Sequence, residues 1–166
     1  GPQASETLPG ERGIAKDAES QIVPTQQAEV VPDQILPDGT PKEQYEYALS
    51  LLMVTAKYHT AEQAFRSFLE QNVDHPLAAN AQYWLGETYY VRSQFVKAAE
   101  VFFQGYKANP SGAKAPDTLL KLGMSLANLG KKPEACAAFA KLTSEFTDAS
   151  ANVRSTTERE RIRNEC

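Results

Sequence analysis

The stretch AQYWLGETYY, residues 81–90, contains the apolar and small residues that decide the fold. Its Leu85 has counterparts at Leu51, 34 residues earlier, and at Leu122, 37 residues later. A small residue follows the leucine in the later two copies, as Gly86 and Gly123. The same shifts relate three further sets of positions: Ala64, Ala98 and Ala135; Phe68, Phe102 and Phe139; Pro76, Pro110 and Thr147.

This order of large apolar, small, Ala, Phe and Pro positions, repeated about every 34 residues, is typical of the tetratricopeptide helix–turn–helix unit. One such unit cannot bury its apolar face alone, so neighbouring units stack and share a core. The pattern therefore predicts an all-α tetratricopeptide-like solenoid with three helix–turn–helix repeats, at about residues 41–76, 77–110 and 116–147. Stacked repeats present extended binding surfaces, which favours protein binding over catalysis.

The composition of the chain changes at about residue 40. Residues 1–40 contain no Phe, Tyr or Trp, but they hold five of the ten prolines. Such a segment buries too little apolar surface to offset the entropy of ordering, which indicates a disordered linker or tail. Its first two residues, Gly1-Pro2, are typical of a tag-cleavage scar and carry no biological meaning. Residues 41–166 are enough for one core, so we predict a single repeat domain there.

Charge and hydropathy exclude two classes of partner. Residues 1–40 hold seven of the 21 acidic and two of the 17 basic side chains, which leaves residues 41–166 at +1. A nucleic-acid binder carries a strongly basic surface, so no nucleic-acid partner is expected. No apolar run reaches the roughly 18 residues of a membrane span, so no direct insertion into a membrane is expected.

The residues that usually carry catalysis or bind metals do not cluster in this sequence. The two histidines, His59 and His75, have no Cys or carboxylate at metal-ligand spacing. The sequence contains neither a Gly-rich phosphate loop nor a nucleophile elbow. We therefore expect no enzyme, no metal and no cofactor.

Local signals predict where helices begin and where they approach each other. Thr40 with Glu43 forms a capping box that predicts the start of the first helix. Thr60 with Gln63 predicts the start of its partner helix in the same way. Gly86 lies where the two helices of one repeat are expected to approach closely, since only a small side chain permits that contact.

Residues 150–166 fit no repeat and predict a C-terminal capping helix with a polar outer face. Its predicted apolar line consists of Ala151, Val153 and Ile162. Cys166 ends this segment, and Cys136 lies early in the second helix of the third repeat. If the cap helix packs antiparallel to that helix, the two cysteines come close to each other. Two unrelated free thiols are the alternative, but we predict a Cys136–Cys166 disulfide, which would indicate an oxidising compartment.

The first helices of stacked repeats line the concave face, which predicts a partner-binding groove. Asn side chains can hold a peptide backbone, and Tyr and Met supply adaptable apolar area, so a peptide segment is the expected ligand. Lys57 is the only basic candidate, which disfavours a clamp for acidic tails. For Leu49 and Leu120 a place in the core is an equal alternative. The predicted groove residues are Leu49, Met53, Asn80, Tyr83, Glu87, Tyr90, Asp117, Leu120, Met124 and Asn128.

Three segments resemble the C-terminal domain of the YbgF/CpoB family of periplasmic proteins associated with the Tol–Pal system. They are residues 81–87 followed by Tyr90, residues 114–117 and residues 120–123. Cys136 and the terminal Cys166 resemble the alphaproteobacterial type, in which a cysteine pair ties down the last helix. The resemblance covers residues 42–166, and the segment Tyr-Trp-Leu-Gly-Glu is its most specific part.

The resemblance implies a non-catalytic periplasmic adaptor that binds the Tol protein TolA. It also implies that the adaptor coordinates peptidoglycan synthesis by a bifunctional penicillin-binding protein with outer-membrane constriction in cell division. Family members carry a signal peptide and a trimerising coiled coil before this domain, but residues 1–40 show no heptads, so this fragment is expected to be monomeric. The alternative is a structural subunit of another envelope assembly complex, such as one for outer-membrane protein insertion.

Overall fold

The computed structural model describes residues 35–166, and this part of the chain forms seven α-helices. Helices that follow each other in sequence pack together, as expected for short helix–turn–helix connections, and the last helix packs on the two before it. The predicted all-α solenoid of three repeats with a capping helix is therefore confirmed. The helices are α1 (Pro41–Met53), α2 (Tyr58–Gln71), α3 (Ala78–Tyr90), α4 (Phe95–Ala108), α5 (Ala115–Asn128), α6 (Lys132–Glu145) and α7 (Ala151–Arg163).

The packed domain begins a few residues before α1. The predicted capping box is present, with Glu43 N donating to Thr40 Oγ1 at 3.1 Å and Thr40 N donating to Glu43 Oε1 at 2.8 Å. Leu36 is only 7% exposed, so the core includes a residue that the composition assigns to the linker. The remainder of the predicted linker, residues 1–34, lies outside the described residues.

The second predicted capping box was wrong. Helix α2 begins at Tyr58, and its N-cap residue Lys57 makes no side-chain hydrogen bond. Ala61 N donates to Lys57 O at 2.8 Å, which places Thr60 inside the first turn of the helix. Helix α2 therefore begins before Thr60, the start that the capping box predicts. The earlier start lets Ala61, which is fully buried, pack against the rest of the repeat.

A glycine in each of the later two repeats permits a close contact between its two helices. A Cβ atom built on Gly86 would lie 2.5 Å from Cε1 of Phe102, and the Phe102 ring is fully buried. Gly123 faces the ring of Phe139 in the same way. The close approach predicted at Gly86 is therefore confirmed, and each Gly–Phe pair sets how near the two helices of its repeat lie.

The cap helix α7 buries a mostly polar face. Its buried residues are Val153, Thr157 and Glu160, and Asn164 just beyond the helix is also buried. Their spacing of four, three and four residues places them on one side of the helix. The predicted apolar line was wrong at Ala151, which is exposed, and at Ile162, which is 72% exposed because it lies outside this stripe.

A disulfide ties the cap helix to the third repeat. Cys136 and Cys166 are bonded, with their Cα atoms 5.5 Å apart, and the described residues contain no free cysteine. Lys132 Nζ lies 3.1 Å from Glu165 Oε1 at the same junction. The start of α6 therefore meets the end of the chain, as antiparallel packing requires. The covalent bond holds a helix that buries little apolar surface.

An ion network joins α2 to the end of α3. The Glu62 carboxylate accepts hydrogen bonds from Arg92 Nη2 and Tyr89 Oη at 2.7 Å each, and from Arg66 Nε at 3.3 Å. Arg66 also donates to the Tyr89 hydroxyl. Burial by itself raises the pKa of the Glu62 carboxyl, but the hydrogen bonds from Arg92, Tyr89 and Arg66 outweigh burial and lower the pKa to about 2.

We expect Glu62→Gln to lower the free energy of unfolding at neutral pH by about 1–2 kcal/mol, because two arginines lose a charged partner. The folded-state pKa of about 2 lies below the usual 4.5. The carboxylate therefore stabilises the fold above about pH 4.5 and loses this effect as the pH falls towards about 2. Urea unfolding at several pH values should show the gap between wild type and variant narrowing in acid. This account would be contradicted if the difference in free energy of unfolding between wild type and variant did not change with pH. It would also be contradicted if the exposed control Glu70→Gln gave the same difference.

Candidate partner-binding face

We call the surface presented by α1, α3 and α5 the first-helix face. These three helices are the first helices of their repeats, and each contacts the next along the stack. Residues three, four and seven positions apart share a side of each helix, so every repeat contributes a stripe of side chains to this face. The residues of the predicted groove belong to these helices.

Four residues from two repeats meet at the centre of the first-helix face. Glu87 Oε1 on α3 lies 2.9 Å from Lys121 Nζ on α5, and both side chains are mostly buried. The same ammonium group lies 4.4 Å from the centroid of the Tyr90 ring, a cation–π contact. Asn128 Nδ2 donates to Tyr90 Oη at 3.3 Å. We call these four residues the Glu87–Lys121 cluster.

Tyr90 is the half-buried aromatic residue of this cluster. Its ring packs edge-on against Phe95, with the two centroids 5.2 Å apart. Burial raises the pKa of the Tyr90 hydroxyl, and the nearby carboxylates of Glu160 and Glu87 raise it further, against the opposing effects of Asn128 and Arg163. The hydroxyl is therefore protonated at neutral pH, so it can donate to a partner while it accepts from Asn128.

Two family models match the chain, and both describe tetratricopeptide repeats. One covers residues 50–113 and the other covers residues 117–149, so together they span more than half of the chain. This is a tetratricopeptide-repeat protein. No curated protein matches the chain. Tetratricopeptide-repeat proteins are typically non-catalytic scaffolds, and the matched repeats imply an adaptor role in protein–protein interaction.

In the tetratricopeptide-repeat domain, two of the predicted groove residues belong to the core. Tyr83 is 8% exposed, and its ring centroid lies 5.8 Å from that of Phe102. Burial raises the pKa of Tyr83, and the charges of Glu87 and Asp117 add to this effect. Leu120 is 7% exposed and lies in the core, which was the alternative for this residue. Neither side chain exposes much surface to a partner. The prediction that Tyr83 and Leu120 line the groove was therefore wrong.

The other predicted groove residues remain accessible to different degrees. Met53 on α1 is 64% exposed, and Asn128 is exposed as well. Met124 joins the cluster through its backbone, since its carbonyl accepts from Asn128 Nδ2 at 2.9 Å. The contacts of the cluster do not include the side chains of Met53, Asn80 or Met124. The half-buried members of the predicted set are Leu49, Asn80, Glu87, Tyr90, Asp117 and Met124.

Lys121 is the cluster residue that the sequence analysis missed. Lys57, the predicted cation of the face, is the N-cap residue of α2, a second helix of a repeat. Lys121 lies four residues after Asp117 and seven before Asn128, which is the spacing of one helix side. That stripe was the signal that could have identified it. The neighbouring position, Leu120, belongs to the core, whereas Lys121 forms the ion pair with Glu87.

A second missed feature lies beside the cluster, at the start of α5. Lys114 Nζ lies 4.5 Å from the centroid of the Tyr83 ring and 5.3 Å from that of Trp84. Trp84 is half-buried, so part of the indole remains open to a partner. The two lysines, Lys114 and Lys121, make the first-helix face more basic than the sequence analysis predicts.

The two histidines have structural partners within the described part of the chain. His75 Nδ1 accepts from Leu77 N at 3.0 Å in the loop before α3, and His59 Nδ1 lies 3.7 Å from Glu62 Oε1. Residues 35–166 contain no group of three or more His, Cys, Asp or Glu that could hold a metal ion. No helix among these residues is both long and apolar enough to cross a bilayer.

Proposed function

We propose that this tetratricopeptide-repeat domain is the partner-binding part of a non-catalytic periplasmic adaptor of the YbgF/CpoB type. Its partner is TolA, and the adaptor coordinates peptidoglycan synthesis by a bifunctional penicillin-binding protein with outer-membrane constriction in cell division. The resemblance of residues 81–87, 114–117 and 120–123 to that family identifies these partners. The repeats themselves support the broader role of a protein-interaction module.

The observation that carries the proposal is the Cys136–Cys166 disulfide. A cysteine pair that ties down the last helix is the feature implied by the resemblance to the alphaproteobacterial type. Disulfides persist in oxidising compartments, of which the bacterial periplasm is one. The same bond holds α7, which packs on both helices of the third repeat, α5 and α6.

The Glu87–Lys121 cluster provides the chemistry for binding a peptide segment. Tyr90 offers a half-buried ring and a hydroxyl donor, and Asn128 offers an amide that can pair with a peptide backbone. Glu87 and Lys121 already neutralise each other, so they fix the geometry of Tyr90 and leave no net charge to be desolvated on binding. A half-buried tyrosine in such a setting is typical of an interface hot spot.

We expect Tyr90→Ala to weaken binding of the periplasmic part of TolA by roughly tenfold, because the aromatic contact area is lost. The free energy of unfolding should fall by only about 1–2 kcal/mol, since the ring is half-buried and packs edge-on against Phe95. An NMR titration of the chain with TolA from the same organism, with thermal unfolding of each variant, measures both quantities. Wild-type shifts should centre on Glu87, Tyr90 and Asn128.

The matched control is Tyr47→Ala on α1, where the tyrosine is exposed and lies two residues from Leu49, on a different side of the helix. It should leave TolA affinity unchanged. Absence of saturable binding to TolA by the folded, disulfide-bonded chain would remove the Tol assignment and favour another envelope assembly complex. Binding with shifts elsewhere would retain TolA but reject the first-helix face.

A further inference from the structure

A second surface lies between the second helices of the last two repeats. Helices α4 and α6 both pack against α5, but they do not pack against each other in the described part of the chain. They leave a groove of about 640 Å³, which we call the second-helix groove. Its floor is formed by Leu119, Leu122 and Leu126 of α5, and its walls include Phe103 of α4 and Ala138 of α6.

The corresponding groove between α2 and α4 shows that an apolar floor is not a necessary product of the repeat. Gln82, the counterpart of Leu119, lies at that groove and donates to Val101 O at 3.0 Å. Tyr89, the counterpart of Leu126, is covered by cations that stack on its ring. The covering residues are Arg66, Arg92 and Lys97. Of these two grooves, the second-helix groove is the one with three leucines at its floor and an exposed aromatic side chain, Phe103, on a wall.

Phe103 is the most accessible large side chain of this groove, with 49% of its surface exposed. Its one cation–π neighbour is Lys107, whose Nζ lies 5.5 Å from the ring centroid. A continuous apolar surface of this kind on a repeat protein is typical of a protein-interaction site. Helices α4 and α6 are each 14 residues long, so the groove can accommodate about three turns of a bound helix.

Acidic and basic side chains occupy different parts of the rim of the second-helix groove. Glu134 lies in the first turn of α6 and Glu100 near the middle of α4, and neither forms an ion pair with any described residue. At the other end, Lys141 Nζ lies 2.8 Å from Glu145 Oε2, so its charge is already matched. The first half of the groove therefore carries two carboxylates that have no ion-pair partner among the described residues, and the second half carries the unpaired Lys107 beside the matched Lys141.

We infer that the second-helix groove binds an amphipathic α-helix of a protein partner. The partner helix places apolar residues at positions i, i+3, i+4 and i+7 on the leucine floor, and Lys or Arg side chains at Glu100 and Glu134. The charges disfavour the two occupants that this chain could supply. Residues 1–34 carry six acidic and two basic side chains, and a second copy would bring its own Glu100 and Glu134 to the same rim.

The test is a titration of the whole chain with a synthetic helical peptide of about 15 residues. The peptide has leucines at i, i+3, i+4 and i+7 and lysines at one end. One control peptide replaces the lysines with glutamates, and another has the same composition with the leucines out of helical register. Amide NMR shifts should saturate and lie on α4, α5 and α6 for the first peptide only.

Variants then separate the apolar contribution from the electrostatic one. Phe103→Ser should weaken the lysine peptide by roughly tenfold or more, since a central aromatic contact is lost. Replacing both Glu100 and Glu134 with Gln should weaken it about three- to tenfold and reduce the salt dependence. The matched controls are Val54→Ser, an exposed apolar residue outside the groove, and Glu70→Gln. Neither control should change the affinity.

Four outcomes would overturn the inference. They are no saturable shift at about 1 mM peptide, shifts on the first-helix face, equal binding of the glutamate peptide, and groove shifts caused by the chain itself. If a second copy fills the groove, the NMR shifts of the groove residues should depend on protein concentration. If residues 1–34 fill it, those shifts should change when residues 1–34 are deleted. The synthetic peptide test does not depend on TolA. If TolA does not bind, the second-helix groove can still bind the peptide, and if the peptide does not bind, TolA can still bind the first-helix face.

Discussion

Reduction of the Cys136–Cys166 disulfide is expected to lower the free energy of unfolding by about 3–4 kcal/mol. The bond closes a loop with a sequence separation of 30 residues, and breaking it returns the corresponding chain entropy to the unfolded state. For a domain of this size the melting temperature should fall by roughly 10–15 °C. Denaturant unfolding with and without reductant, followed by circular dichroism, measures the loss.

Hydrogen exchange should also show which helix is destabilised when the disulfide is reduced. The face that α7 buries consists mainly of Thr157, Glu160 and Asn164, so without the bond little apolar contact holds the helix in place. Hydrogen exchange should therefore accelerate first in α7, while α3 and α4 remain protected. Cys136→Ser and the variant with both cysteines replaced should match the reduced wild type. Equal melting temperatures for the oxidised and reduced protein would show that packing alone holds the cap helix.

Gly86→Ala is expected to destabilise the domain by about 2–3 kcal/mol, although alanine favours helices by about 1 kcal/mol over glycine. The added methyl group would lie 2.5 Å from the Phe102 ring, which is fully buried and has no space to move. The two helices of the second repeat must then separate. Urea unfolding of the variant and the wild type measures the difference.

A matched control for this prediction is Gly105→Ala on α4. A Cβ atom there lies 3.0 Å from Gln82 Cγ, a milder contact than at Gly86, and Gln82 is held by a hydrogen bond to Val101 O, so this variant should change the free energy of unfolding by less than about 1 kcal/mol. Adding Phe102→Leu to Gly86→Ala should recover part of the lost stability relative to the sum of the single changes. If Gly86→Ala and Gly105→Ala behave alike, the close helix contact is not what requires glycine.

The repeated positions account for how well the architecture could be predicted. Leu85, Gly86 and Phe102 recur at fixed shifts because each repeat must bury the same few contacts against its neighbours. These positions and their counterparts in the other repeats are buried, and the family models match the same region. A pattern imposed by burial in every repeat is visible along the chain without any knowledge of tertiary contacts.

The candidate site was predicted less completely, for a reason visible in α5. Leu120 and Lys121 are neighbours in sequence, and helical spacing alone allows either to face the groove. The tertiary structure buries Leu120 and directs Lys121 towards Glu87 and Tyr90. Which of two adjacent residues is accessible depends on the angle between α3 and α5, and that angle is set by packing between repeats.

The sequence by itself determined the repeat period, the all-α class, the number of repeats and the need for glycine beside Phe102. These follow from local spacing and from the burial that every repeat shares. Only the tertiary structure decided that the cysteines are bonded, that α7 buries polar residues, and that α4 and α6 leave an apolar groove. Those features arise between elements that are distant in sequence, where the relative placement of helices, and not their periodicity, decides which side chains meet.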